Sequence, residues 1–186
     1  IDIKRKFVTP AQLFIGSFIF IILLGTFLLL LPKATNGGIS FIDALFTCTS
    51  AVCVTGLSVV DTGTYFSTFG QILIVILVQA GGLGILTFTS YFSYFFKGES
   101  TYDNQLLLKD MINSHKITEI FVTLKRIIIV TFVIEAIGAI LIYLSIDETV
   151  VSNNFNRIFF SVFHSVSGFC NAGFSTLPNN LFEPSV

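Results

Sequence analysis

Two short stretches hold the residues whose types and spacing suggest chemistry: "TCTSAVCVTGLSVV" from Thr47 to Val60 and "HSVSGFCNAGFS" from His164 to Ser175. Their side chains are small, hydroxylic or apolar, so the reactive groups they offer are backbone carbonyls rather than acids, bases or nucleophiles. A row of neutral carbonyl oxygens can replace the hydration shell of a weakly hydrated monovalent cation such as potassium. In the first stretch the donors would be Cys53, Val54, Thr55 and Gly56. Gly56 supplies the φ freedom that lets successive carbonyls face one way. V-T-G alone is a weak signal, and a hydrophobic turn without function has the same composition.

A second copy strengthens it. A shift of 117 residues lays Gly56 on Gly173, Phe46 on Phe163, Ser50 on Ser167, Cys53 on Cys170 and Ser58 on Ser175. The second donor set is then Cys170, Asn171, Ala172 and Gly173, and equal substitutions at the two glycines should act alike. The same shift lays Ala11–Leu31 over Ile128–Glu148, so the repeated unit includes a long apolar segment ahead of each stretch. Repeats of one orientation in a membrane protein suggest a transport path on their shared axis.

The elements that must position these stretches are membrane helices. The chain is 53% hydrophobic and 11% charged, with a mean hydropathy of +0.87, which leaves too little polar residue to cover a water-soluble domain. Crossing ~30 Å of hydrocarbon takes about 20 residues. Ala11–Leu31 and Phe69–Phe96 are long enough and carry no charge, and Ile127–Ile146 carries one, Glu135. The first exceeds the apolar core of a cleavable signal peptide and no A-x-A site follows, so it reads as a retained helix. Ile39–Ser50 is too short to span and reads as a re-entrant helix after the turn at "NGG", Asn36–Gly38. After it the chain must climb out in extended form, with carbonyls that only water or an ion can satisfy. The carboxyl end of that helix directs its negative dipole end toward such an ion.

Basic residues orient the chain. With the amino terminus in the cytoplasm, Lys4, Arg5, Lys6, Lys97, Lys109, Lys116, Lys125 and Arg126 lie inside and only Lys33 and Arg157 outside, eight against two. The outer loops carry Asp43, Asp61, Asp147, Glu148 and Glu183. These acids either attract cations to an outer mouth or are ordinary solvated loop charges.

Other features carry less. Cys48, Cys53 and Cys170 lack disulfide or zinc spacing, and Cys48 and Cys53 read as small apolar fillers. The glycines of "QAGGLG", Gln79–Gly84, lack a preceding strand and read as a close helix-packing surface rather than a nucleotide-binding turn. Glu135, near the middle of its segment, is either a structural partner of a neighbouring helix or part of the transport path. His164 reads as a hydrogen-bonding residue of the second short helix rather than a metal ligand. With His115 and His164 on opposite sides of the membrane there is no catalytic constellation, so an enzyme is not expected. The polar inner stretch Gly98–Lys116 is either a docking surface or a linker.

"TSAVCVTGLSVVDTG", "QAGGLGILTF" and "HSVSGFCNAGFS" together resemble the membrane subunit of the Ktr/Trk/HKT potassium transporters, closest to the bacterial Ktr type. The resemblance implies an all-α integral membrane fold of repeated helix, re-entrant pore helix with extended filter strand, and helix units, as in potassium channels. It implies four units around one ion path, with Gly56 and Gly173 as the first two filter glycines and Cys53, Val54, Thr55, Cys170, Asn171 and Ala172 as neighbouring carbonyl donors. The chain then divides into a cytoplasmic amino terminus (1–10), a first unit (11–96), a cytoplasmic linker (97–116) and a second unit without its final helix (117–186). About two of the four units are present, so the chain is expected to be a fragment or to be interrupted.

The implied function is potassium uptake, with sodium as a coupled or competing ion and no cofactor in this subunit. In the related plant transporters a serine at the first filter position goes with sodium preference. Implied partners are the remaining repeats, a second membrane subunit in a homodimer, and a cytosolic nucleotide-binding regulatory ring, in the cell membrane and without nucleic acid. The alternative is a non-conducting membrane scaffold, which accounts for the apolar helices but not for a repeated glycine stretch.

Overall fold

A computed structural model describes residues 10–96, 115–146 and 154–177. Six helices follow in order among them: α1 (Pro10–Leu29), α2 (Phe41–Val52), α3 (Thr62–Tyr65), α4 (Thr68–Phe96), α5 (His115–Ser145) and α6 (Asn154–Phe169). The β-structure among the described residues is one isolated antiparallel bridge, Thr35 to Phe66. The chain forms two compact units, Ile1–Gly81 with Val166–Val186, and Gly82–Ser165. The basic residues Lys4, Arg5, Lys6, Lys97 and Lys109, the acids Asp147, Glu148 and Glu183, and most of the stretch Gly98–Lys116 lie outside the described residues.

Two helices contain apolar windows long enough to cross a membrane, Thr68–Thr87 in α4 and Leu124–Ser145 in α5. The third expected span lies in α1, whose apolar stretch among the described residues, Phe14–Leu29, is shorter. Pro10 opens α1, where a missing N–H costs nothing, and Pro32 keeps the helix from continuing. Large apolar side chains stand outward on these helices: Phe20 and Phe27 on α1, Ile140 and Leu144 on α5. Such continuous apolar exposure suits hydrocarbon and not water. Helix α5 begins at His115 rather than near Ile127. Hydropathy marks only the part of a helix that lies in hydrocarbon, and "HKITEIFVTLKR" extends the same helix through residues that water tolerates, with Lys125 and Arg126 exposed.

In the first unit the links at one end of the helices are tied together. Asn36 donates its backbone N–H to Tyr65 O at 3.0 Å and its side chain to Thr64 O at 3.0 Å. Ser67 donates its backbone N–H to Ala34 O at 3.0 Å. Asp61 caps the short helix α3 by accepting from Gly63 and Thr64 N–H groups at 2.8 and 3.1 Å. Gln71, buried in α4, sends its side-chain nitrogen to the carbonyls of Thr62, Gly63 and Phe66 at 3.2, 3.1 and 3.2 Å. This one amide closes the turn that leads from the candidate loop back into α4. Gln71→Leu leaves those carbonyls without their donor and is expected to cost about 2 kcal/mol. Thermal unfolding of purified protein in detergent checks this, and an unchanged midpoint would show that the turn closes without Gln71.

In the second unit α5 and α6 are joined by polar groups. The Ser165 hydroxyl donates to the Glu135 carbonyl at 2.6 Å, beside Gly138, which leaves room for that hydroxyl. Arg157 donates to the carbonyls of Tyr143 and Ile146 at 2.9 and 2.7 Å, with its guanidinium 4.6 Å from the centre of the Tyr143 ring. A cation at the carboxyl end of a helix satisfies carbonyls that have no partner within the helix.

Candidate functional site

Helix α2 is fixed at both ends. Ser40 is its N-cap, accepting from Asp43 N–H at 3.1 Å while its own hydroxyl donates to the Asp43 carboxylate at 2.7 Å. This is a reciprocal capping arrangement with an acid in the first turn. At the other end Cys53 is the C-cap. Val54 N–H then returns to Ala51 O at 3.2 Å and Thr55 N–H to Ser50 O at 2.9 Å. This pair of back-directed bonds is a Schellman end, which requires the residue after the cap to be left-handed. Val54 has φ 56°.

Helix α6 ends the same way. Asn171 N–H returns to Gly168 O at 3.0 Å, Ala172 N–H to Ser167 O at 2.7 Å, and Asn171 has φ 58°. Gly56 and Gly173 follow two residues later with φ 74° and 73°. The four positive angles and the two bond pairs match at the 117-residue shift, residue for residue. The expectation of an extended strand is therefore corrected: among the described residues neither loop is a strand. Left-handed residues stand at positions 54 and 56 with Thr55 outside that region, and likewise at 171 and 173 around Ala172. Alternation of hand turns successive N–H groups to one side and successive carbonyls to the other, which a strand does not do. Asparagine accepts this conformation readily, whereas a β-branched valine rarely adopts it.

The two loops lie against each other within the first unit. A Cβ built on Gly56 would fall 1.7 Å from the Ala172 carbonyl oxygen and 3.3 Å from Gly173 Cα. Among the described residues a Cβ on Gly173 would meet only Gly56 Cα, at 4.0 Å. The first loop thus presents one side to its neighbour, and among the described residues nothing stands as close to the corresponding side of the second loop. From the helix side, Gly81 of α4 abuts the last turn of α2: its Cβ would lie 2.0 Å from Val52 O. At Gly81 the helix-packing surface expected of "QAGGLG" meets the carbonyl end of α2.

Of the residues read from sequence, the loops bring together Gly56, Ala172 and Gly173. Cys48 is a buried filler, but Cys53 is exposed, because a C-cap position turns its side chain out of the helix packing. Glu135 is buried. His164 Nδ1 lies 2.9 Å from the Phe160 carbonyl and its ring stacks 3.9 Å from the Phe160 ring. The corresponding Thr47 makes the same bond with its hydroxyl, to Asp43 O at 2.8 Å. The sequence reading missed the hydroxyls that brace the loops. Thr55 Oγ1 lies 3.1 Å from both the carbonyl and the hydroxyl of Ser50, and Ser167 Oγ donates to Phe174 O at 2.7 Å. Ser50 and Ser167 coincide in the 117-residue shift, and that was the available signal.

Comparison with known proteins gives the chain a family. The family model described as "TrkH: Cation transport protein" matches residues 2–183. The chain is 40% identical over 178 residues to the Ktr system potassium uptake protein B of Bacillus subtilis, covering 96% of this chain and 39% of that protein. It is 38% identical over 179 residues to the potassium/sodium uptake protein NtpJ of Enterococcus hirae, covering 95% and 39%. Against the Ktr system potassium uptake protein B of Vibrio alginolyticus it is 36% identical over 167 residues, covering 90% and 36%. The chain spans about two fifths of the length of these relatives, and with residues 2–183 matched by the family model it belongs to the TrkH family of cation transport proteins.

Proposed function

We propose that the chain forms two of four pore units of a potassium uptake protein of the cell membrane. The carbonyls of Cys53, Val54, Thr55 and Gly56, and of Cys170, Asn171, Ala172 and Gly173, make part of its selectivity filter. The observation that carries this reading is the paired loop geometry: two Schellman ends, each followed by a glycine near φ 74°, in backbone contact at Gly56 and Ala172. Each loop is aligned by the carboxyl end of a helix, α2 or α6, which acts as a short re-entrant pore helix and faces a cation with its negative dipole end. The side of Gly173 that no described residue crowds suits a third loop placed as Ala172 is placed against Gly56, and repetition of that contact closes a ring.

Names of the relatives support potassium as the main ion and sodium as a second one. The word "system" in the Ktr names suits a membrane subunit that works with others, here a second membrane subunit and a cytosolic nucleotide-binding ring. The amino terminus lies on the cytoplasmic side in this reading.

The test is uptake by cells that lack their own potassium uptake. Expression of the complete four-unit protein is expected to restore growth at low potassium and to take up potassium in preference to sodium. Protein that reaches the membrane yet moves neither ion would return the scaffold reading.

A further inference from the structure

Ser50 and Ser167 hold the same place in the two pore units, yet their hydroxyls do different things. Each sits three residues before the C-cap, and each backbone carbonyl takes the N–H of the residue two past that cap. In the first loop that residue is Thr55, whose hydroxyl lies 3.1 Å from both the Ser50 carbonyl and the Ser50 hydroxyl. In the second loop it is Ala172, which has no hydroxyl. The Ser167 hydroxyl therefore reaches on to the Phe174 carbonyl, 2.7 Å away. Ser167 is 4% exposed and Phe174 2%, so the bond is shielded from water and stronger for it. The corresponding Leu57 is 62% exposed, and among the described residues the first loop has no counterpart of the Ser167–Phe174 bond.

We infer that Ser167 is a positioning residue for ion selectivity: it draws the Phe174 carbonyl back toward α6 and so fixes the outer end of the second carbonyl row directly after Gly173. This rests on the filter reading above and adds an asymmetry to it. The first loop is braced by a side chain of its own, Thr55, at its middle. The second is braced from the helix, at its end. Potassium selectivity depends on how many carbonyls face the ion and how firmly they are held. A peptide plane tied immediately beyond Gly173 limits both.

The test uses the complete protein in a competition assay of potassium against sodium uptake, normalised to folded protein. Ser167→Ala removes one oxygen from a buried site and leaves a void smaller than a methyl group, so the fold tolerates it. Its potassium preference is expected to fall about fivefold, the worth of one net hydrogen bond. Ser50→Ala is expected to lose less, because the Thr55 hydroxyl still reaches the Ser50 carbonyl. Ser167→Thr keeps the hydroxyl and should restore most of the preference. Unchanged preference in Ser167→Ala, or equal losses at Ser50 and Ser167, overturns the positioning role. Gly56→Ser in the same assay separates the two readings: loss of preference there, with none at Ser167, leaves the filter standing and removes only the brace.

Discussion

Gly56→Ser in the complete protein lowers the preference for potassium over sodium by about tenfold or more, equivalent to ~1.4 kcal/mol of relative binding. Two effects add. The residue sits at φ 74°, a conformation that side chains resist. Its Cβ would also stand 1.7 Å from the Ala172 carbonyl oxygen and 2.8 Å from the Ala172 carbonyl carbon. Backbone cannot step aside as a side-chain tip can, so the second loop must move with the first. The carbonyl displaced is itself one of the proposed donors, and a shift of an ångström at a ring of weak neutral ligands changes which ion fits. Gly173→Ser separates two arrangements. Among the described residues its Cβ has only Gly56 Cα near it, at 4.0 Å, so an open edge predicts the milder effect of backbone conformation alone. A third loop at that edge predicts a loss comparable to that at Gly56, and this is the outcome expected from four units. Competition uptake normalised to folded protein reads both. Normal preference in Gly56→Ser with normal folding would remove the filter from this stretch, and a mild Gly173→Ser would remove the closed ring.

What the sequence made legible follows from how local each feature is. A charge-free run such as Phe69–Phe96 announces a spanning helix, because hydropathy is a property of each residue added along the chain. The glycines at 56 and 173 were legible because the chain says the same thing twice at one spacing. The handedness of Val54 was not. Nothing about valine favours φ 56°, and the return of two N–H groups to α2 accompanies it. The second unit uses Asn171 at that point, a residue suited to the angle, and reading the pair together would have revealed a left-handed position in both.

Contacts between distant parts of the chain were hidden for the same reason. Gln71 has three carbonyls within reach of its amide only once α3 has formed, and α3 depends on the cap supplied by Asp61. The hydroxyl braces show how one substitution redirects a neighbour. Thr55 in one copy and Ala172 in the other decide whether the equivalent serine is engaged by the loop or reaches past it. Sequence repetition gave the equivalence of Ser50 and Ser167, and folding gave their difference.

Gly81→Ala is expected to damage the first unit severely. Its Cβ would lie 2.0 Å from Val52 O, 2.7 Å from Val52 C and 3.0 Å from Val52 Cα, so every near neighbour is backbone at the last residue of α2. Overpacking commonly costs 1–3 kcal/mol when side chains can rearrange. Here the helix end itself must shift by more than an ångström, and about 3 kcal/mol or more is expected. The next residues after Val52 are the proposed donors Cys53 to Gly56, so protein that does fold should carry displaced carbonyls and reduced uptake. Two other glycines calibrate the result. Gly25 would place its Cβ 2.8 Å from Leu77 Cδ1 and 3.2 Å from Cys48 Sγ, atoms at the ends of side chains that can turn away, so Gly25→Ala should be milder. Gly16 has nothing within 4 Å among the described residues, and Gly16→Ala should be neutral or stabilising by up to about 1 kcal/mol through helix propensity. Yield, unfolding midpoint and uptake per folded molecule for the three variants give the ranking. If Gly81→Ala matched Gly16→Ala in all three, direct contact of α4 with the end of α2 would not be what holds the first loop in place.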